Sequence, residues 1–418
     1  MERQAFSRNG IERAIRTSDF QNVPKANQDV HRENLILSSL VAARTKFSAP
    51  ANPLAKFDLL GNSVFKLDKQ CDQLVERKIA WNLKISSRVR PTGRSSVVEN
   101  LKLLLEEGVA FRVYRLDVRR FYESFDKQNV SQEIDKILNL SPQTKILIKT
   151  LLDRHKSLGG KGIPRGLPMS AVLAEIMMVP FDRFLFNAAE VFFYSRYVDD
   201  IIIITSGNEG AKDFISFVKK SLPTGLNLNP KKFDVSEKIA KVTEIPNKSP
   251  KSVVSCFEYL GYKFTVSDPH KKLKNNANRV VEVDIAKKKI QKYKNRLSKS
   301  FLDYSKNKNW ELLRDRVKYL SNNFGVFNTH LGKKKLAGIY HSYPIVDVDA
   351  KSLHSLDHFL RGLVLTNRGR IGTVVAILLT AKMKRELLTN CFTTGHAKKS
   401  FVYFSATRIS DIQKCWKY

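Results

Sequence analysis

The chain of 418 residues carries 73 Lys plus Arg against 40 Asp plus Glu, a formal net charge of +33. An excess of that size implies a polyanionic partner, with nucleic acid ahead of a membrane surface. The apolar fraction of 42% excludes a disordered chain, and the length leaves room for two or three packed units. No run is long and apolar enough to span a bilayer; the best, Ile371 to Leu379, is short and contains Gly372. The N-terminus shows no apolar signal segment, so a cytoplasmic location is expected. Cys71, Cys256, Cys391 and Cys415 lie far apart with no Cys-x-x-Cys, which argues against a zinc module or a disulfide frame.

Residues Met1 to about Pro53 mix charges with sparse apolar positions; Asn34 to Ala43 reads as a short helix and Ala49 to Pro53 as a break. Packing is the simplest role for this arm, with an RNA contact as the other. Lys84, Arg88, Arg90 and Arg94 surround Pro91-Thr92-Gly93, a turn signal, and Val97 to Glu106 reads as a helix. Phe111 to Leu116 alternates apolar and basic residues as a strand does, which places Asp117 near a strand end. Val130 to His155 reads as helices, with Ser131 and Ser141-Pro142 as starts.

A glycine-rich segment, Gly159 to Ser170 with Pro164-Arg165-Gly166, leads into an apolar helix over Ala171 to Phe184. Glycines let backbone approach a ligand, and a helix start offers free N–H groups to anions. Tyr194 to Thr205 reads Tyr-Ser-Arg-Tyr-Val-Asp-Asp-Ile-Ile-Ile-Ile-Thr, two strand-forming runs about an Asp-Asp pair. Taken alone, Asp199 and Asp200 fit an ordinary polar turn equally well. Together with Asp117 they can form a set of hard oxygen ligands for magnesium or manganese. Two cations held roughly 4 Å apart would clamp the attacking and leaving oxygens of a phosphoryl transfer.

Further on, Ala211 to Ser221 reads as an amphipathic helix, followed by Gly225-Leu-Asn-Leu-Asn-Pro-Lys-Lys232. The lysine-rich stretch Ile239 to Ser252, broken by Pro246 and Pro250, reads as a loop, and Phe257-Glu-Tyr-Leu-Gly-Tyr-Lys-Phe264 as strand, turn, strand. Ile290, Tyr293, Leu297 and Phe301 share a helical face opposite many lysines. Trp310 to Leu320 suggests a second helix, and Gly332 to Tyr418 looks mainly helical. Arg361, Arg368, Arg370, Lys382, Lys384 and Arg385 there suit nucleic-acid contact.

These motifs, in this order, resemble the reverse transcriptase family. Tyr197-Val-Asp-Asp between apolar strands, preceded by Leu116-Asp-x-x-x-Phe-Tyr122, is similar to its palm. The resemblance implies an α+β right-hand polymerase with an antiparallel palm sheet and a mainly helical C-terminal region. It divides the chain into an N-terminal extension (1–73), fingers and palm (74–265), thumb-like helices (266–331) and a helical C-terminal domain (332–418). It implies an RNA-directed DNA polymerase adding dNTPs to a 3′-hydroxyl with two Mg²⁺ ions, or Mn²⁺, held by Asp117, Val118, Asp199 and Asp200. Tyr122 would exclude a 2′-hydroxyl; Arg88, Arg94, Arg165, Gly166 and Lys232 would meet the nucleotide, Lys232 near the departing pyrophosphate; Leu260 and Gly261 would grip the primer.

Arg165 stands where retroviral enzymes usually carry glutamine, which puts the template contact there in doubt. The Pro-Arg-Gly version resembles bacterial antiphage reverse transcriptases, nearest the small member of a system that pairs two of them with a noncoding RNA. That implies an RNA template, a DNA product, a second reverse transcriptase, a larger assembly and the bacterial cytoplasm. A group II intron or retron-like mobile-element enzyme, an RNA-directed RNA polymerase and a catalytically idle RNA-binding scaffold are the alternatives.

Overall fold

The apolar run Ile201 to Ile204 becomes an inner strand of a four-stranded sheet, and all four isoleucines are buried. A strand covered on both faces needs such a run rather than an alternating one, and each buried isoleucine contributes about 1.5–3 kcal/mol. The computed structural model describes residues 2–21, 23–47, 52–59, 61–89, 93–242, 252–269, 278–328 and 333–417. The expected break at 49–51, Arg90 and the turn residues Pro91 and Thr92, and the lysine-rich loop over 243–251 lie outside these residues, as does the side chain of Arg370.

The chain packs into two compact units. One comprises Met1–Gly93 and Ala110–Ala240, the other Arg94–Val109 and Lys241–Tyr418. In the first unit, a hairpin of β1 (Leu54–Leu59) and β2 (Asn62–Leu67) stands apart from a sheet of β3 (Arg112–Asp117), β4 (Val191–Tyr197), β5 (Asp200–Thr205) and β6 (Asp234–Val235). The sheet order is β4-β5-β3-β6, antiparallel throughout. One core joins it to the helices Gln28–Arg44, Gln70–Ser87, Pro142–Ser157 and Pro168–Phe186, through Leu35, Leu74, Ile79, Leu147, Leu151, Met178 and Phe181 among others.

The N-terminal arm joins this core: Ile11, Ile36, Ala43 and Phe47 are buried, and its helix runs over seventeen residues, well beyond Asn34 to Ala43. The helix Lys127–Lys136 starts at Asp126, whose carboxylate accepts the Asn129 N–H, and not at Ser131. Ser141 caps the Pro142–Ser157 helix through the Thr144 N–H, as expected of Ser-Pro.

The second unit holds a sheet of β7 (Val253–Tyr259), β8 (Tyr262–Ser267) and β9 (Val280–Ile285), and a smaller one of β10 (Asn323–Asn328), β11 (Lys333–Gly338) and β12 (Phe401–Val402). The helix Lys287–Asn307 buries Leu297 and Phe301 and the helix Trp310–Ser321 buries Leu313, Val317 and Leu320. The region from Gly332 is mostly helical, but the Lys333–Gly338 strand was not expected, because a lysine run has low strand preference. Among the described residues no helix is long and apolar enough to cross a membrane.

Candidate active site

Asp117 closes β3 and Asp200 opens β5, and the two are direct partners across the antiparallel pair. Residues so placed stand roughly 4.5–5.5 Å apart at Cα. The loop between β4 and β5 is Val198-Asp199 alone, since Tyr197 pairs with Asp200. The Asp199 carbonyl accepts the Val118 N–H at 3.0 Å, which ties the loop back to the end of β3. Three carboxylates are thereby gathered at one end of the sheet. The Asp-Asp pair is not all turn: Asp199 is in the loop and Asp200 is the first strand residue. Val118 is buried beside them, and its residue bridges to Leu228.

Asp117 is only 4% exposed, and both of its oxygens are engaged. Lys232 Nζ donates to Oδ1 at 2.6 Å and Asn229 Nδ2 donates to Oδ2 at 2.9 Å. The backbone repeats the tie, with the Asn229 N–H donating to the Asp117 carbonyl at 2.7 Å. This explains the Leu-Asn-Pro-Lys-Lys spacing: Asn229 starts a turn of 3₁₀ helix, and Lys232, at its far end, folds back over the aspartate. The Lys232 side chain is 61% exposed and its ammonium is held above the usual lysine range by the Asp117 hydrogen bond and charge. Burial raises the Asp199 carboxyl, with the Asp117 charge adding to it; burial and then the Asp199 and Asp117 charges push Asp200 up to about 6.

Among the described residues no group of three or more His, Cys, Asp or Glu stands arranged to hold a metal ion. The chemistry of the donors nevertheless fits a hard divalent cation. Burial and the neighbouring carboxylate charges raise Asp199 and Asp200, a cost that a hard cation would relieve, and Asp117, Asp199 and Asp200 supply only oxygen donors.

Tyr122 lies just past β3, half-buried, edge-on to Phe121 at 5.4 Å between ring centroids. Burial first, and then the Glu175 charge, hold its hydroxyl above the usual tyrosine range. The Arg165 guanidinium sits 5.3 Å over the Tyr122 ring and makes two bonds to Glu123, at 2.9 and 3.2 Å. Gly166 follows at φ +109, and a Cβ there would come within 2.5 Å of the Phe65 carbonyl. Only glycine lets this loop lie against β2, where the Phe65 N–H donates to the Arg165 carbonyl at 2.8 Å. Glu123 and Asn229 went unremarked in the sequence; Asn229 at least stood in a recognised motif.

Behind the loop, Arg196 of β4 is nearly fully buried and bonds Glu175, Asp182 and the Val198 carbonyl. Arg88 is placed elsewhere in the first unit, as the exposed, left-handed C-cap of the Gln70–Ser87 helix. Arg94, Leu260 and Gly261 belong to the second unit. There Arg94 spends its guanidinium within the protein: Nε donates to the Leu260 carbonyl at 2.8 Å and Nη1 to the Ser342 carbonyl at 3.0 Å. Leu260-Gly261 is the two-residue turn between β7 and β8.

Residues 90–264 match the family model described as reverse transcriptase (RNA-dependent DNA polymerase). Among solved structures, one similar chain is telomerase from Candida albicans in complex with a TWJ fragment of telomeric RNA, at 13% identity, TM-score 0.31, covering 51% of this chain and 37% of that one. Another is apo telomerase from Candida tropicalis truncated from its C-terminal domain, at 16% identity, TM-score 0.30, covering 46% of this chain and 42% of that one. The chain thus spans about two fifths of either telomerase chain. No curated protein matches the sequence. The fold is an α+β polymerase fold, and Asp117, Tyr122, Arg165, Asp199, Asp200 and Lys232 all lie within the segment that matches the reverse transcriptase family model.

Proposed function

We propose that the chain is an RNA-directed DNA polymerase whose reaction centre is the end of the sheet bearing Asp117, Asp199 and Asp200. The observation that carries this reading is the direct pairing of Asp117 with Asp200 beside the Val198-Asp199 loop, inside the segment matching the reverse transcriptase family. Asp117, Asp199 and Asp200, with the Val118 carbonyl, would hold two Mg²⁺ ions. When bound, such ions supply charge neutralisation and a lowered pKa for the attacking hydroxyl.

The remaining work falls to the protein's own groups. Asn229 orients the Asp117 carboxylate through one oxygen, which leaves its direction independent of Lys232. Lys232 stays protonated through neutral pH, and its exposed ammonium is free to swing from Asp117 to the leaving pyrophosphate, where it offers charge and a proton. Tyr122 presents a ring at the sugar position, and Arg165, tethered to Glu123, holds that ring from one face. A 2′-hydroxyl would clash with it, so deoxynucleotides are favoured. Arg88 remains available to phosphate or template. Leu260 and Gly261 would meet the primer, with Arg94 supporting their turn instead of reaching the nucleotide.

The finer reading is that the enzyme copies a dedicated noncoding RNA in bacterial antiviral defence, alongside a second reverse transcriptase. The Pro164-Arg165-Gly166 motif and the net charge of +33 support it. The test of the chemistry is primer extension on an RNA template with Mg²⁺ and labelled dNTPs. Asp199→Ala/Asp200→Ala should abolish incorporation while leaving RNA binding intact, and Tyr122→Ala should raise ribonucleotide use about 10- to 100-fold. A wild-type protein that binds RNA and incorporates nothing would make it a scaffold. Sequencing the nucleic acid that copurifies tests the finer reading: one defined RNA with matching DNA supports it, and mixed cellular RNA refutes it.

A further inference from the structure

The carboxylates at the reaction centre depend on a two-residue loop in an unfavourable conformation. Val198 has φ +60, a region that β-branched residues avoid because Cβ crowds the backbone. Glycine is the usual occupant of such a loop position. Something must hold the loop in this form, and the local sequence does not, since Val-Asp has no preference for it.

Arg196 supplies the hold. Its side chain is 3% exposed, and each of its five N–H groups has an acceptor. Nε and Nη2 donate to the two oxygens of Asp182 at 2.9 and 2.8 Å; Nη2 and Nη1 donate to the two oxygens of Glu175 at 2.6 and 3.1 Å. The fifth bond, from Nη1, goes to the Val198 carbonyl at 2.9 Å. Glu175 and Asp182 are seven residues apart on the Pro168–Phe186 helix, two turns along one face. Tyr194 OH donates to Asp182 at 2.5 Å and fixes that carboxylate from the strand side. The peptide before Asp199 is therefore held by Arg196, and the peptide after it by the Val118 N–H. Asp199 sits between two fixed peptides, and its carboxylate lies close enough to Asp117 to feel that charge.

We propose that Arg196 is a positioning residue for the reaction centre: anchored to Glu175 and Asp182, it grips the Val198 carbonyl, keeps the loop left-handed, and so sets the direction of Asp199. The proposal rests on the polymerase reading for what Asp199 does, and on hydrogen bonds alone for what Arg196 does. A lysine would keep the charge between the two acids but lacks the planar fork to reach three acceptors at once.

The experiment is a double-mutant cycle on the full chain: R196K, V198G and R196K/V198G. Glycine adopts φ +60 without strain, so it removes the need for the grip. Single-nucleotide extension in Mg²⁺ should show R196K lowering kcat about 30- to 100-fold, the scale of a small misplacement of a reacting group, with dNTP KM within about threefold. In the V198G background the same substitution should cost less than about threefold. Amide hydrogen exchange of the 198–200 segment gives a second readout: faster in R196K than in wild type, and unchanged by R196K once V198G is present. If R196K does not fold, E175Q takes its place, because Asp182 still balances the arginine; its smaller loss should likewise vanish with V198G. Equal losses in both backgrounds would reduce Arg196 to core packing and overturn the proposal. Should the wild type incorporate nothing, the polymerase reading fails, and the exchange data still decide whether Arg196 holds the loop.

Discussion

Two hairpins in this chain, one in each unit, solve the same problem with different materials. Both have two-residue loops, Val198-Asp199 between β4 and β5 and Leu260-Gly261 between β7 and β8. In both, a bulky first residue takes a positive φ, +60 at Val198 and +49 at Leu260. In both, the carbonyl of that residue accepts an arginine N–H, from Arg196 at 2.9 Å and from Arg94 at 2.8 Å. The anchors differ. Arg196 is held by two carboxylates, whereas Arg94 lies 4.7 and 5.3 Å from the rings of Tyr262 and Tyr343 and donates also to the Ser342 carbonyl. A loop that must present an acid at its second position cannot use glycine there, and takes a buried ionic anchor. The loop that presents only backbone has Gly261 at φ +81 and makes do with aromatic faces.

The difference is sharpest when each anchor is removed. Arg196→Met leaves Glu175 and Asp182 without their cation in a mostly buried place, which costs about 3–5 kcal/mol. Arg94→Met loses two bonds to carbonyls and its cation–π contacts, about 1–3 kcal/mol. Hydrogen exchange on the full chain should show the β4–β5 amides losing more protection in the first variant than the β7–β8 amides lose in the second. Equal losses would mean that the carboxylates contribute nothing beyond what aromatic rings supply.

The two anchors were unequally legible in the sequence. Asp117 and the 199–200 pair could be read directly, because a strand pattern ending in acid is local information, and so could the apolar strand Ile201 to Ile204. Arg196 stood within the motif yet its partners did not: Glu175 and Asp182 sit in a helix read only as apolar. A signal was available, since two acids on one face of a buried helix require a cation. The reverse transcriptase resemblance implied a nucleotide contact for Arg94; its bonds to the carbonyls of Leu260 and Ser342 were not legible, because those residues lie 166 and 248 positions away in sequence. The β1–β2 hairpin and β9 escaped for a further reason. β1 alternates weakly, and β9, although Val281, Val283 and Ile285 alternate with Glu282 and Asp284, shows its strand role only through its pairing with β8.

Acidity separates the hairpins next. Asp200 in the folded chain ionises only near pH 6, raised by burial and by Asp199 and Asp117. A carboxyl whose folded pKa exceeds its unfolded value of about 3.8 stabilises the fold fully below that value, and the contribution is lost as pH rises through about 6. Without divalent cation, Asp200→Asn should therefore gain on the wild type between pH 4 and pH 8, by on the order of 1–3 kcal/mol in urea denaturation. Mg²⁺ at pH 8 should close much of that gap by stabilising the wild type alone. The Leu260-Gly261 loop carries no acid, so Gly261→Ala should shift stability equally at both pH values. A pH-independent effect of Asp200→Asn would mean that the three carboxylates do not share one site.

The smallest effects come from the loop residues themselves. Gly261 at φ +81 admits no Cβ without strain of about 1–2 kcal/mol. The nearest atoms to a new Cβ would be Lys289 Cε at 3.2 Å and Arg94 Nη2 at 3.4 Å, the ends of flexible side chains, so the cost is conformational and not a clash. Leu260→Gly works the other way: it releases a strained φ but loosens the unfolded chain by about 0.5–1 kcal/mol and surrenders the half-buried leucine side chain. The two terms nearly cancel, and full-chain denaturation should find Leu260→Gly within about 1 kcal/mol of wild type. With Arg94→Met in place, the relief of strain counts for more, because no guanidinium then holds the carbonyl. Leu260→Gly should be more favourable in that background than alone by about 0.5–1 kcal/mol. Strict additivity would show that the arginine does not hold the Leu260 carbonyl against the strain, and that the likeness between the two hairpins is one of form only.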